Sequence, residues 1–343
     1  MLYSLRKGAE GISKTPLQKI LLNDKFTSMK FKHSQLPIEN WTRRAKQHAE
    51  LVSPFTDAFL KRRSRGLKHA VHDFLFTYYT FSPLKLKQWV PSFEESILIS
   101  NDRRAEYPWL NGYWFQFKEN MLYVNRERFQ ENTRGLAQFV LKLCQNILHR
   151  PPRFGCFGLH EWAMVYKLSP EAIRHNTYRL RLSPEKLATF VESQIICCSH
   201  YDAYRFFTKE ARPLNIYHPT LQGRVQMEQG GCLHANMDLY KWSTKLWPWI
   251  GSDFIAKAFL LALEGRELDM RASPYDLQEE GYTPIYIETE EGRKQYQKEQ
   301  HSLAERATVL RRELLSFCER LLLIKPSRES LEQGPTPESK LYL

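Results

Sequence analysis

The sequence predicts a mainly α-helical globular protein with one small β-hairpin. Three features point to this class: long stretches whose apolar residues recur every three or four positions, helix-start signals such as Ser183-Pro184-Glu185, and one pair of apolar segments flanking a short polar turn. With 343 residues, 42% of them hydrophobic and 13% aromatic, the chain can bury a sizeable core as one large domain or two.

Residues 1–36 alternate Lys with apolar residues without a clear period and read as a basic, partly ordered arm. From Ile38 the pattern turns helical, with Trp41, Ala45, His48, Val52 and Phe55 three or four apart. The most basic run, LKRRSRGLKH from Leu60 to His69, leads into the aromatic run HDFLFTYYTF from His72 to Phe81. Basic residues beside aromatics grip phosphates and stack bases in single-strand binders. The i, i+4, i+7 spacing of Phe74, Tyr78 and Phe81 is also what a buried helix face requires, and we expect that second outcome.

Ser92 and Glu95 have capping-box spacing and predict a helix start. Tyr113 to Phe117 and Met121 to Val124 straddle Glu119-Asn120 and predict the hairpin. A helix from Arg128 to Leu148 carries Leu136, Val140, Leu143 and Ile147 on one face and ends before Pro151-Pro152, which marks a soft boundary between a part 37–150 and a part 151–325. Ser169-Pro170-Glu171 and Ser183-Pro184-Glu185 each place an N-cap before Pro at the first helical position. A further short strand is expected near Ile285 to Ile287. The last helix, from about Glu290 to Ile324, repeats Ala307, Leu314, Leu321 and Leu303, Leu310, Phe317, Ile324 in heptads. That seam either pairs with another chain or packs on the protein's own body, the shortness of the pattern favouring the body. Residues 326–343 are polar and Pro-rich and read as a disordered tail.

Net charge is +12, and residues 1–70 hold 15 Lys/Arg against 5 Asp/Glu, so +10 of it lies at the N-terminus. Any phosphate-bearing partner, DNA included, would meet that region first. The six cysteines lack the density of a secreted disulfide scaffold, and the N-terminus lacks the apolar stretch of a signal peptide. No apolar run approaches the roughly 18 to 20 residues that span a bilayer, so an integral helical membrane protein is not expected. A reduced, cytoplasmic setting is the expectation.

The densest polar group without a surface explanation runs from Gly231 to Asp276, predicted as two helices joined by a Trp/Pro/Gly corner. In the first, Leu233, Met237 and Tyr240 form an apolar stripe, while His234, Asp238, Lys241 and Lys245 share a neighbouring face. A His and an Asp one turn apart can share a metal ion, or the Asp can orient the imidazole for acid–base work. A wet i, i+4 hydrogen bond is the plainer alternative. The second helix, Ser252 to about Ala272, crowds Glu264, Glu267 and Asp269 into its last turns, where the helix dipole disfavours carboxylates. Arg266 and Arg271 offset part of that cost, and such a local conflict marks a functional site or a buried ion-pair network.

Two shorter stretches belong beside it. CFGLHEWAMVY, Cys156 to Tyr166, offers His160, Glu161 and Trp162, and CSHYDAYRFF, Cys198 to Phe207, offers His200, Asp202 and Arg205. Ser199 and Asp202 have capping-box spacing, which explains Asp202 without chemistry. The recurrent Cys near His lacks structural zinc spacing. A composite site of His160, His200 and His234 with Glu161 or Asp238 would suit a divalent iron, manganese or zinc ion.

These same stretches, CFGLHEWAMVY, CSHYDAYRFFT, GCLHANMDLYKW and RELDMRASPYDL, with RRSRG and HDFLFTYY upstream, resemble a mostly uncharacterised bacterial family commonly labelled 3-methyladenine DNA glycosylase. The resemblance covers roughly residues 55–320. It implies hydrolysis of the N-glycosidic bond of an alkylated purine, with the base turned into an aromatic pocket and a carboxylate stabilising the sugar cation or activating water. The chain has neither the Gly-rich helical hairpin followed by a catalytic Asp nor the HEAT-like repeats of established glycosylases. The candidates therefore come from this chain alone: Asp238, Asp269, His234 and Glu161 for catalysis, and Trp162, Tyr240, Trp242, Arg271 and Tyr275 for the substrate. Two other classes stay open: a metal-dependent or acid–base enzyme for a small molecule, and a non-catalytic binding protein with a buried polar network.

Overall fold

The computed structural model describes residues 34–173 and 177–324. They are mainly helical, with a small four-stranded sheet. Six helices exceed eight residues: α1 (Ile38–Ser64), α2 (Glu131–His149), α3 (Pro184–Glu192), α4 (Leu233–Lys245), α5 (Ser252–Arg271) and α6 (Glu290–Leu321). Their starts follow local chemistry. The Ser183 hydroxyl accepts from Lys186 N at 3.4 Å ahead of Pro184, and the Thr289 hydroxyl accepts from Gly292 N at 3.0 Å. Ser169-Pro170-Glu171 opens only a 3-10 turn, Pro170–Ala172.

The sheet consists of β1 (Ser34–Leu36), β2 (Glu95–Leu98), β3 (Phe115–Lys118) and β4 (Met121–Val124), in the order β1-β2-β4-β3. The expected hairpin is β3–β4, with Lys118 opposite Met121. Glu119 and Asn120 both take left-handed conformations, φ 52° and 59°, as a two-residue turn matched to strand twist requires. Three expectations change here. Ser34 to Leu36, assigned to the arm, form β1 parallel to β2. Ser92 N and Oγ do donate to Glu95 Oε2, at 2.9 and 3.1 Å, but the chain continues as strand β2, because its Ser96 to Leu98 register pairs with β4. Ile285 to Ile287 form no strand: both isoleucines are fully buried, and Ile285 N donates to Arg271 O at the end of α5.

A smaller core of Trp41, Trp89, Ile97, Ile99 and Leu122 lies under the sheet. The larger one draws Val52, Val140, Val191, Met237, Phe259 and Leu314 from both sides of residue 150 into one cluster. At its centre α4 lies along α5, and Gly265 permits the approach, since a Cβ there would meet Met237 Cγ at 2.8 Å. Helix α6 covers α2, α4 and α5 with its heptad seam, burying Leu303, Ala307, Leu314 and Leu321 on the protein's own body. No helix among the described residues is long and apolar enough to cross a membrane. Residues 1–33, most of the basic arm, and the tail 326–343 lie outside the described residues.

In the aromatic run the buried apolar residues are Leu75, Phe76 and Tyr79. Phe74, Tyr78 and Phe81, expected inside, are only partly buried, because just Phe74–Thr77 is helical and their side chains face a cavity.

Candidate functional site

Three segments converge on the α4–α5 pair. Left-handed conformations at Phe157 and Gly158 turn the chain into the short helix Leu159–Ala163, which presents His160 and Glu161. His200 occupies the N-cap position of the short helix Tyr201–Tyr204. Gly231 rests on the backbone of Arg153, where a Cβ would come within 2.3 Å of the carbonyl oxygen, and directs the chain into α4. The imidazole of His234 then lies between the other two, with ring centroids 4.5 Å from His160 and 5.4 Å from His200.

The groups divide into two buried triads. His160, His234 and Asp269 form one, and His200, Glu228 and Asp238 the other, each with its ligand atoms within 4.8 Å of one another. In the first, His160 Nε2 approaches Asp269 Oδ1 at 2.7 Å, while Arg266 Nη1 holds Asp269 Oδ2 at 3.0 Å and Glu161 Oε1 at 2.7 Å. In the second, His200 Nε2 lies 3.4 Å from Glu228 Oε1 and 3.3 Å from Asp238 Oδ2. Arg224 Nε meets Glu228 at 2.9 Å, and Asp202 takes Arg224 at 2.5 Å and Lys241 at 2.6 Å.

Glu161, Asp202, Glu228, Asp238 and Asp269 are all buried, and Arg224, Lys241 and Arg266 bridge them, with exposed Arg205 3.7 Å from Asp202. Buried Arg311, directed at Ala235 O and Asn236 Oδ1, pairs with no carboxylate among the described residues. Carboxylates outnumber these three bridging cations by two, and exposed Arg205 and buried Arg311 offset that excess from outside the triads. Burial works to raise the Asp269 carboxyl, but His160 beside it holds it well below the usual range, and Lys241 and His200 do the same for Asp238. Burial pushes Glu228 up despite His200 and Arg224. Burial, reinforced by the charge of His160, takes His234 down to about 3, leaving a neutral imidazole with a free lone pair.

Within each triad several facing polar atoms lie close without being aligned for hydrogen bonds. His160 Nε2, Asp269 Oδ1, both ring nitrogens of His200, both oxygens of Glu228 and Asp238 Oδ2 have no aligned partner. Converging lone pairs that are not directed along donor hydrogens fit a metal ion, and buried polar atoms otherwise require partners. Two imidazoles and one carboxylate, the first triad, are a donor set for zinc, iron(II) or manganese(II).

His234 separates two cavities. The larger, about 1040 Å³, has Phe74, Tyr78, Phe81, Tyr178 and Tyr275 in its walls and Glu161, Asp202, His234 and Arg266 at its buried end. Arg63 and Lys68, both exposed, stand at its mouth. Behind His234, a space of about 10 Å³ is bordered by Cys156, Cys197, Cys198, Cys232, His160 and Gln300. Cys156 Sγ lies 3.7 Å from His160 Nδ1, so the recurrent Cys-near-His pattern lines this space and supplies neither triad.

The three predicted histidines therefore meet, though in two triads and not as one composite site. Glu161 pairs with Arg266 and joins neither. Asp202, explained in sequence as a helix cap, makes no such bond and instead closes the ion-pair network, because Arg224 and Lys241 reach it first. Among the substrate candidates Tyr275 lines the cavity. Trp162 is buried with its indole N–H on Ala272 O, Tyr240 packs among Tyr79, Phe81 and Phe259, and Trp242 packs on Phe139. Arg271 is held by Glu299 and Thr283 O, outside the cavity lining. The sequence reading missed Glu228 and Arg224, whose i, i+4 spacing looks like an ordinary surface pair.

Comparison of the chain with protein-family models, with curated proteins and with solved structures found no match in any of the three. The functional reading rests on the site itself.

Proposed function

We propose that this protein is a metal-dependent enzyme, with a divalent transition-metal ion held by His160, His234 and Asp269 and a small-molecule substrate entering through the large cavity. The observation that carries the reading is the position of His234, which borders the cavity while belonging to a buried triad in which His160 Nε2 and Asp269 Oδ1 face each other without an aligned partner. An ion bound there would act as a Lewis acid or lower the pKa of a water molecule. The chain's own groups do the rest. Arg266 fixes the Asp269 carboxylate, Cys156 faces the remaining nitrogen of His160, and Glu161 at the cavity end is placed to exchange a proton with a bound molecule. The six free cysteines suit a cytoplasmic setting, where thiols stay reduced. Metal analysis of the purified protein tests the proposal: a stoichiometric ion that disappears in His234→Ala, with folding retained, supports it, and a metal-free active protein discards it.

A second reading keeps the N-glycosidic hydrolysis of alkylated purines that the family resemblance implies. Aromatic cavity walls with Arg63 and Lys68 at the mouth favour it, since a base turned out of DNA would stack inside with its phosphates outside. Glu161 and Asp202 border that space, while Asp238 and Asp269 act from behind it. Release of free base from alkylated DNA is the test, and no release at any metal loading eliminates this reading.

A further inference from the structure

The larger cavity changes character along its length. Its mouth is positive: Arg63 and Lys68 are exposed and make no ion pair among the described residues, whereas the lining acid Asp73 is already taken by Arg62. Between the two cations Gly66 is left-handed, and a Cβ there would have nothing within 4 Å, so the approach to them is open. The walls are flat. Phe74 and Tyr78 stack on each other with centroids 4.8 Å apart and planes 10° apart, and Phe81 and Tyr178, also partly buried, add further ring surface. The buried end has His234 and the Glu161–Arg266 pair.

Resting on the reading of this cavity as the substrate site, we infer that its ligand is a small planar aromatic molecule bearing a phosphate monoester. The ring lies along the aromatic walls and its far edge faces His234. The phosphate sits between Arg63 and Lys68. A monoester carries a charge of about −1.5 to −2 at neutral pH, which matches two rim cations better than the single charge of a phosphodiester. About 1040 Å³ is also the scale of a pocket for one small ligand.

Calorimetric titration of the full chain with adenosine 5′-monophosphate, adenosine, inorganic phosphate and a single-stranded oligonucleotide without a terminal phosphate tests this. Adenosine 5′-monophosphate is expected to bind at least about tenfold more tightly than adenosine or phosphate alone, and the double variant Arg63→Ala/Lys68→Ala to lose that advantage while binding adenosine unchanged. Tyr78→Leu should weaken the monophosphate and adenosine alike. Equal binding of the first two, no binding of either, or tighter binding of the oligonucleotide overturns the inference. Metal content measured on the same sample separates the two proposals: a loaded protein indifferent to the phosphate sinks this one alone, and a metal-free protein that prefers the monophosphate sinks the metal reading alone.

Discussion

The stoichiometry of metal binding follows from the charge of the buried site. Five carboxylates, Glu161, Asp202, Glu228, Asp238 and Asp269, lie among Arg224, Lys241 and Arg266, with Arg205 beside Asp202 and Arg311 buried nearby. The second triad already has Arg224 on Glu228 and Lys241 3.7 Å from Asp238, so an ion there would sit beside two permanent cations, whereas in the first triad the one cation, Arg266, is balanced by Glu161. An uncompensated buried charge costs several kcal/mol, so one ion should bind tightly and a second should not. The perturbation is stripping with a chelator followed by titration with zinc or manganese, read by elemental analysis and by denaturation in parallel. One ion per chain is expected, and at a free metal concentration one hundred times the Kd it should add about 2.7 kcal/mol of stability over the stripped protein. Asp269→Asn should abolish uptake. Two ions per chain at saturation would refute the charge argument, and stability indifferent to chelation would refute the site.

Further outcomes test the surrounding framework. Arg266→Met removes the guanidinium shared by Glu161 and Asp269 and leaves two buried carboxylates without it, so denaturant melts should show a loss of about 3–5 kcal/mol, partly recovered on adding Glu161→Gln. Burial holds the His48 imidazole below its ordinary value, although its Nε2 bonds Leu86 O at 2.6 Å. The unfolded chain therefore takes up a proton near pH 6.5 that the folded chain refuses; this contribution is fully present above that pH and is lost as pH falls below it, so His48→Gln should flatten the acid side of the stability profile. Glu119→Asn with Asn120→Gly places the residues preferred in a two-residue hairpin turn at two positive-φ positions and should raise stability by about 1 kcal/mol in the same melts.

Much of this architecture could be read from residue spacing because helices expose their faces in the sequence. Leu136, Val140, Leu143 and Ile147 are buried together in α2, and the two residues of the hairpin turn mark it directly. The three histidine segments stood out because each places a polar residue against an apolar pattern. Their division into two triads was not legible, since the partner carboxylates come from separate elements, Asp269 from α5 and Glu228 from the turn ahead of α4. Burial of charge was hidden for a related reason. Arg224 with Glu228 has the spacing of a solvent-exposed helix pair, and only the tertiary packing removes both from water. Ser92 with Glu95 shows the reverse case, a cap contact that forms before a strand because pairing with β4 outweighs local preference.

The close seating of Gly265 on Met237 and of Gly231 on the Arg153 backbone has a consequence for ligand selection. Both contacts hold the histidine-bearing turns in place, so inheritable changes in ligand preference should accumulate in the cavity-lining stretch after α1, between Leu67 and Pro83.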